Sequence, residues 1–119
     1  MKTNPKIIVE FLNTNLHHEL TLEIIAAAVK LSRSRVCDLI KSETGMPPGV
    51  YIKTLRMERA YNLLRATSLE IKQVMLEVGI KDSSHFARDF KHRYGLTPSE
   101  HRAQRVAEQM AEASSDETK

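Results

Sequence analysis

Residues 71–102 read IKQVMLEVGIKDSSHFARDFKHRYGLTPSEHR, and this stretch decides the fold. IKQVMLEV carries its apolar residues at helical spacing until Gly79 closes it. Asp82, Ser83 or Ser84 can cap a following helix, in which Phe86 and Phe90 stand four apart on one face before Gly95 ends it. Thr97-Pro98-Ser99-Glu100 is a capping box with proline at the first helical position, so a last helix starts there. A two-turn helix, a tight turn and a longer polar-faced helix form a helix-turn-helix layout.

The layout recurs upstream. Leu22, Ala26, Val29, Leu31, Val36 and Ile40 correspond to Ile71, Met75, Val78, Ile80, Phe86 and Phe90, at an offset of 49 before the turn and 50 after it. The second copy thus has one extra turn residue. Thr21 caps LEIIAAAV, with Leu20 placed as a hydrophobic staple. Ser32 caps the next helix, whose Val36, Leu39 and Ile40 face inward until Gly45. Pro47, Pro48 and Gly49 then break the chain. Between the copies, VYIKTLRMERAYNLLRA predicts a longer helix with Tyr51, Ile52, Leu55, Ala60, Leu63 and Leu64 on its buried side. Before them, Asn4-Pro5 opens a first helix with an apolar stripe of Ile7, Ile8, Phe11, Leu12 and Leu16, ended by the polar run 13–19. The last helix is expected to run to about Ala113, with SSDETK frayed. The expected fold is all-α: about seven helices joined by turns of two to five residues.

Composition fits a small aliphatic core. Of 119 residues only 5% are aromatic, without tryptophan, and no run alternates with period two long enough for a strand. The net charge is +3. Residues 103–119 hold Arg105 and Lys119 against four acids, which leaves sixteen basic and eleven acidic residues, net +5, on residues 1–102. A basic body with a mildly acidic tail suits an anionic partner, nucleic acid or a membrane surface, and charge does not choose between them. Cys37 is the only cysteine, so no intramolecular disulfide or cysteine-based zinc site can form. No apolar run approaches 18 residues and MKTNPK lacks a signal-peptide core, so a soluble protein in a reducing cytoplasm is expected.

From Met75 to Arg102 the chain resembles the signature of AraC/XylS-type transcription regulators, A-x3-G-[FY]-x3-S-x-F-x-[RK]-x-F-[KR]-x3-G-x-[ST]-P-x2-[YF]-R. Gly79, Ser84, Phe86, Arg88, Phe90, Lys91, Gly95, Thr97, Pro98 and Arg102 match it. LTLEIIAAAV, SETGMPPGVYI and LRMERAYNLL extend the resemblance over about residues 5–102. It implies a DNA-binding domain at 1–102: a first helix-turn-helix subdomain at 5–48, a linker helix at 49–65, and a second subdomain at 66–102. Residues 103–119 are an appended tail. It further implies a bacterial, cytoplasmic, nucleoid-associated regulator that places its two second helices in successive major grooves of double-stranded DNA and contacts RNA polymerase. No membrane partner, cofactor or catalysis is expected. Four positions depart from the pattern. Met75 stands for a small alanine at a close helix approach, Ile80 for an aromatic, His101 for Tyr or Phe, and Lys30 for the turn glycine of the first copy.

Carried over residue by residue, the resemblance puts Ser34, Arg35, Cys37 and Asp38 at base edges from the first recognition helix. From the second it puts Ser83, Ser84, His85 and Arg88 there, with Ala87 among the base-facing positions. Arg33, Lys41 and Lys91 fall to phosphates. Arg88 suits a bidentate contact to guanine O6 and N7, while Asp38 tolerates DNA only where a cytosine amino group donates to it. Plainer readings stand beside these. Arg35, Asp38 and Lys41 are spaced to brace one helix surface. His85, Asp89 and His92 share a face suited to a metal but lack further ligands nearby, so no metal site is expected. His17-His18 reads as a solvated helix end, and Cys37 as a small groove residue rather than a redox sensor. The competing functional class is a helical interaction module, an antagonist or adaptor with this fold that does not bind DNA.

Overall fold

A computed structural model describes the backbone of residues 5–117 and the side chains of residues 5–111; the Asn4 cap lies outside the described residues. Seven helices and no strand occur among them. They are α1 (Pro5–Thr14), α2 (Leu22–Val29), α3 (Arg33–Thr44), α4 (Pro48–Ala66), α5 (Ile71–Glu77), α6 (Ser83–Tyr94) and α7 (Pro98–Glu117).

Local chemistry sets most of the boundaries. The Thr21 hydroxyl accepts from the Ile24 N–H, the Ser32 hydroxyl from Arg35, and the Asp82 carboxylate from His85. Each satisfies a first-turn donor that the helix cannot. The capping box at α7 is reciprocal: Thr97 Oγ1 accepts from the Glu100 N–H, and Glu100 Oε1 from the Thr97 N–H. Gly45 and Gly95 end α3 and α6 in the left-handed region, at φ 74° and 84°. Lys30 ends α2 in that same region, φ 59° and ψ 43°, although it carries a side chain.

Two boundaries differ from the sequence reading. α1 stops at Thr14: the Asn15 N–H is shared between the Phe11 and Leu12 carbonyls, its side-chain amide also donates to Phe11, and the chain turns away after it. Leu16 therefore belongs to a seven-residue connection rather than to the stripe of α1. α7 continues past Ala113 through Ser114, Ser115 and Asp116 to Glu117, a stretch with neither glycine nor proline to break it. Thr118 and Lys119 lie outside the described residues.

Two cores form, one at each end of α4. Ile8, Leu12, Ile25, Ala26, Val36, Ile40 and Ile52 close the first among α1, α2, α3 and the start of α4. Met57, Ala60, Leu64, Val74, Met75, Val78, Phe86 and Phe90 close the second. Each large apolar side chain fully removed from water contributes about 1.5–3 kcal/mol, so neither half needs a ligand to hold its shape. Met57 is buried where the expected stripe omitted it, while Leu55, Leu63 and Tyr51 are only half-buried. Met75 packs within the second core in place of the smaller residue.

Candidate nucleic-acid interface

α3 and α6 carry the same arrangement position by position. Val36 and Ile40 on α3, and Phe86 and Phe90 on α6, turn inward and fix the rotation of each helix. Burial matches at every step from 32 to 45 and from 82 to 95. Ser34, Arg35, Asp38 and Lys41 are therefore exposed on the outer face of α3, with Cys37 half-buried beside them. Ser83, Ser84, His85, Arg88 and Lys91 are exposed on that of α6, with Ala87 half-buried. The offset of 50 pairs Arg35 with His85, Cys37 with Ala87, Lys41 with Lys91 and Asp38 with Arg88. The two faces share one shape, and their charges differ most at one central place, where Asp38 on α3 stands opposite Arg88 on α6.

The match runs on past the recognition helices. Gly45 and Gly95 end them, Pro48 and Pro98 open the next helices, and Tyr51 stands opposite His101 at the same offset. Each unit is thus a three-helix repeat, α2–α3–α4 and α5–α6–α7. The paired glycines and prolines signal this in the sequence. His101 fills the aromatic place: it is buried among Tyr61 and Phe90, with ring centroids 4.7 and 5.6 Å away.

Electrostatics favour these outer faces for an anion. No ion pair among the described residues includes Arg35, Asp38, Lys41, Arg88 or Lys91, so the bracing of α3 by Arg35, Asp38 and Lys41 is not formed. Arg33 is engaged, with its Nη1 2.7 Å from Glu23 Oε1 on α2. That pair is well exposed and weak, so a phosphate can compete for the arginine. Backbone N–H bonding and then Arg33 hold the Glu23 carboxyl below the usual carboxylate range. The His85 backbone N–H does the same for Asp82, and Lys53 for Asp89 at 2.8 Å. The first turn of α6 therefore carries a fixed negative charge at Asp82 beside the exposed His85.

Part of the positive charge on the body serves the fold. Arg56 donates to the Leu16 and His18 carbonyls, Arg102 Nε to the Leu64 carbonyl at 3.1 Å, and Arg105 Nη1 to the Thr67 carbonyl at 3.2 Å. Arg65 sits against Tyr61. The sequence reading missed these roles, since carbonyl acceptors leave no mark in side-chain identity. No described helix is long and apolar enough to cross a membrane.

A family model described as a helix-turn-helix domain matches residues 25–104. The chain is 35% identical, over 94 residues, to the lactose operon transcription activator of Staphylococcus xylosus, covering 79% of this chain and 34% of that protein. It spans about a third of the length of the curated relatives it matches. Among solved structures it resembles a transcriptional regulator from Chromobacterium violaceum, one of the AraC-type DNA-binding domain-containing proteins. That likeness has a TM-score of 0.74 at 35% identity and covers 82% of this chain and 88% of that one. The DNA-binding domain of the global transcriptional factor AdpA, solved with a target DNA, shares the fold. Its TM-score is 0.79 at 23% identity, covering 90% of this chain and 96% of that one.

Proposed function

The chain belongs to the AraC-type helix-turn-helix family of transcription regulators, which are not enzymes, and on that premise we propose that it binds duplex DNA sequence-specifically with α3 and α6 in two successive major grooves. The observation that carries this reading is the matched outer faces of α3 and α6, exposed, polar and free of ion pairs at their centres.

Ser34, Arg35, Cys37 and Asp38 read base edges in one half-site, and Ser83, Ser84, His85 and Arg88 in the other. Arg33, Lys41 and Lys91 hold phosphates. The functional layout is a first subdomain at 5–48, a linker helix at 49–65 and a second subdomain at 66–102, with 103–119 as an appendage. One chain thereby reads two half-sites about 34 Å apart, one turn of the duplex. Regulation follows from occupying a promoter on the nucleoid, in the cytoplasm, and touching RNA polymerase there.

Selecting bound sequences from a random duplex library tests this reading. Two half-sites about one turn apart are expected, with affinity falling steeply as salt rises. Moving one half-site by about 5 base pairs puts it on the opposite face and should abolish its benefit. Footprints confined to one half-site would overturn the two-groove arrangement. A failure to enrich any sequence, with flat salt dependence, would overturn DNA binding itself.

A further inference from the structure

Leu16 is 1% exposed and yet belongs to neither core. It lies in the connection between α1 and α2, the longest in the described chain. The Leu16 carbonyl accepts from Arg56 Nε at 3.3 Å and the His18 carbonyl from Arg56 Nη2 at 3.0 Å. Arg56 stands mid-way along α4, between Ile52 of the first core and Met57 of the second. Against the same Leu16 carbonyl lies Gly79, in the turn before α6. A Cβ there would overlap the carbonyl oxygen and stand 3.2 Å from the carbonyl carbon and 3.4 Å from Arg56 Nε.

The turn itself does not demand glycine. Lys30, the counterpart of Gly79 in the first copy, takes the same left-handed conformation with an exposed side chain. Around Gly45, Gly49 and Gly95 a Cβ would meet nothing within 4 Å. Gly79 is set apart by the backbone of the other subdomain lying on it. One turn earlier on α4, Lys53 grips Asp89 of α6, so the linker helix holds the first subdomain's loop and the second recognition helix from one stretch.

We infer that Arg56 and Gly79 form the joint that sets the separation and angle of α3 and α6, and hence the half-site spacing the protein accepts. The planar guanidinium fixes two carbonyls in one geometry, which a flexible ammonium cannot do. The missing Cβ lets the two subdomains close on each other. The consequence for spacing rests on the DNA-binding reading; the joint does not.

Two measurements separate them. Spin labels at Ser42→Cys on α3 and His92→Cys on α6, in a Cys37→Ser background, report the distance between equivalent exposed positions without DNA. Arg56→Ala and Gly79→Ala should shift or broaden a narrow distance distribution, with Arg56→Lys intermediate. The second measurement is affinity for duplexes carrying one or both selected half-sites. The same variants should lose about tenfold or more on the paired site, because a misaligned second site no longer profits from its high effective concentration. Affinity for a single half-site should stay within about twofold, and the preference for one spacing should flatten. Unchanged distance distributions in folded Arg56→Ala and Arg56→Lys would overturn the joint even if Gly79→Ala fails to fold. Equal losses on single and paired sites would overturn its role in spacing. Absence of any DNA binding by the parent protein would sink the functional reading and leave the distances to decide the joint.

Discussion

Replacing His101 by phenylalanine should stabilise the protein and remove part of its sensitivity to mild acid. His101 is 7% exposed, and its Nε2 is buried without a hydrogen-bond partner. An unpaired buried atom of this kind costs about 1–3 kcal/mol. Phenylalanine puts carbon there and keeps the contacts with Tyr61 and Phe90, while fitting its larger ring costs about 1 kcal/mol. The expected net gain is up to about 2 kcal/mol, at most roughly 8 °C in melting temperature for a domain of this size. Burial pushes the imidazole below its ordinary value of 6.5. Arg65 adds to the shift, Glu108 opposes it and Arg102 adds a little more. The native state therefore holds His101 neutral where the unfolded chain takes up a proton. Stability present above the unfolded value is lost as the pH falls below about 6.5 toward the depressed native value. Asp82, Asp89, Glu23 and Glu100 are held below the usual carboxylate range, so their losses come at lower pH. Urea melts at about pH 7.5 and about pH 5.5 isolate the histidine, and the variant's advantage should widen at the lower pH. A variant less stable at about pH 7.5, or an advantage equal at both values, would refute the reasoning.

Three further outcomes are expected. Lys30→Gly should raise the melting temperature, by up to about 1 kcal/mol in stability, because glycine takes φ 59° without strain; a fall would show that the turn relies on the lysine. Arg88→Ala should cost about 1–3 kcal/mol on the specific site and relax preference at one G·C pair, whereas an equal loss on random duplex would make it a phosphate contact. Asp38→Ala should tighten binding to random DNA and narrow the ratio of specific to random affinity at fixed salt. An unchanged ratio would mean that Asp38 is merely a solvated surface charge.

The helix-turn-helix units were legible because each is built from neighbours in sequence. Caps at Thr21, Ser32 and Thr97, the stops at Gly45 and Gly95, and the pairs Val36/Ile40 and Phe86/Phe90 all act within a turn or two. The outer faces of α3 and α6 followed directly, since an inward pair at i and i+4 fixes what points away. The seam was not legible. Arg56 looks like any surface arginine of a linker helix, and its acceptors are carbonyls 38 and 40 residues away. Gly79 reads as an ordinary turn glycine until Leu16 is placed on it. The end of α1 was not legible because the apolar spacing of Leu16 fits a helix, while the chain turns off after Asn15 through bonds to backbone carbonyls that leave no mark in that spacing.

The ties from α7 to the end of α4 bear on the order in which the chain can be completed during synthesis. The first core closes on residues no later than Leu55, so it can assemble while the rest is still being made. The linker helix cannot be finished so early. Its last turn leaves carbonyls that its own chain does not satisfy, and those of Leu64 and Thr67 await Arg102 and Arg105, each 38 residues downstream. The guanidinium groups also bring positive charge to the negative end of the helix dipole. A nascent chain halted before Arg102 would present one finished half joined to a helix with an open end, and only α7 turns that helix into a fixed strut.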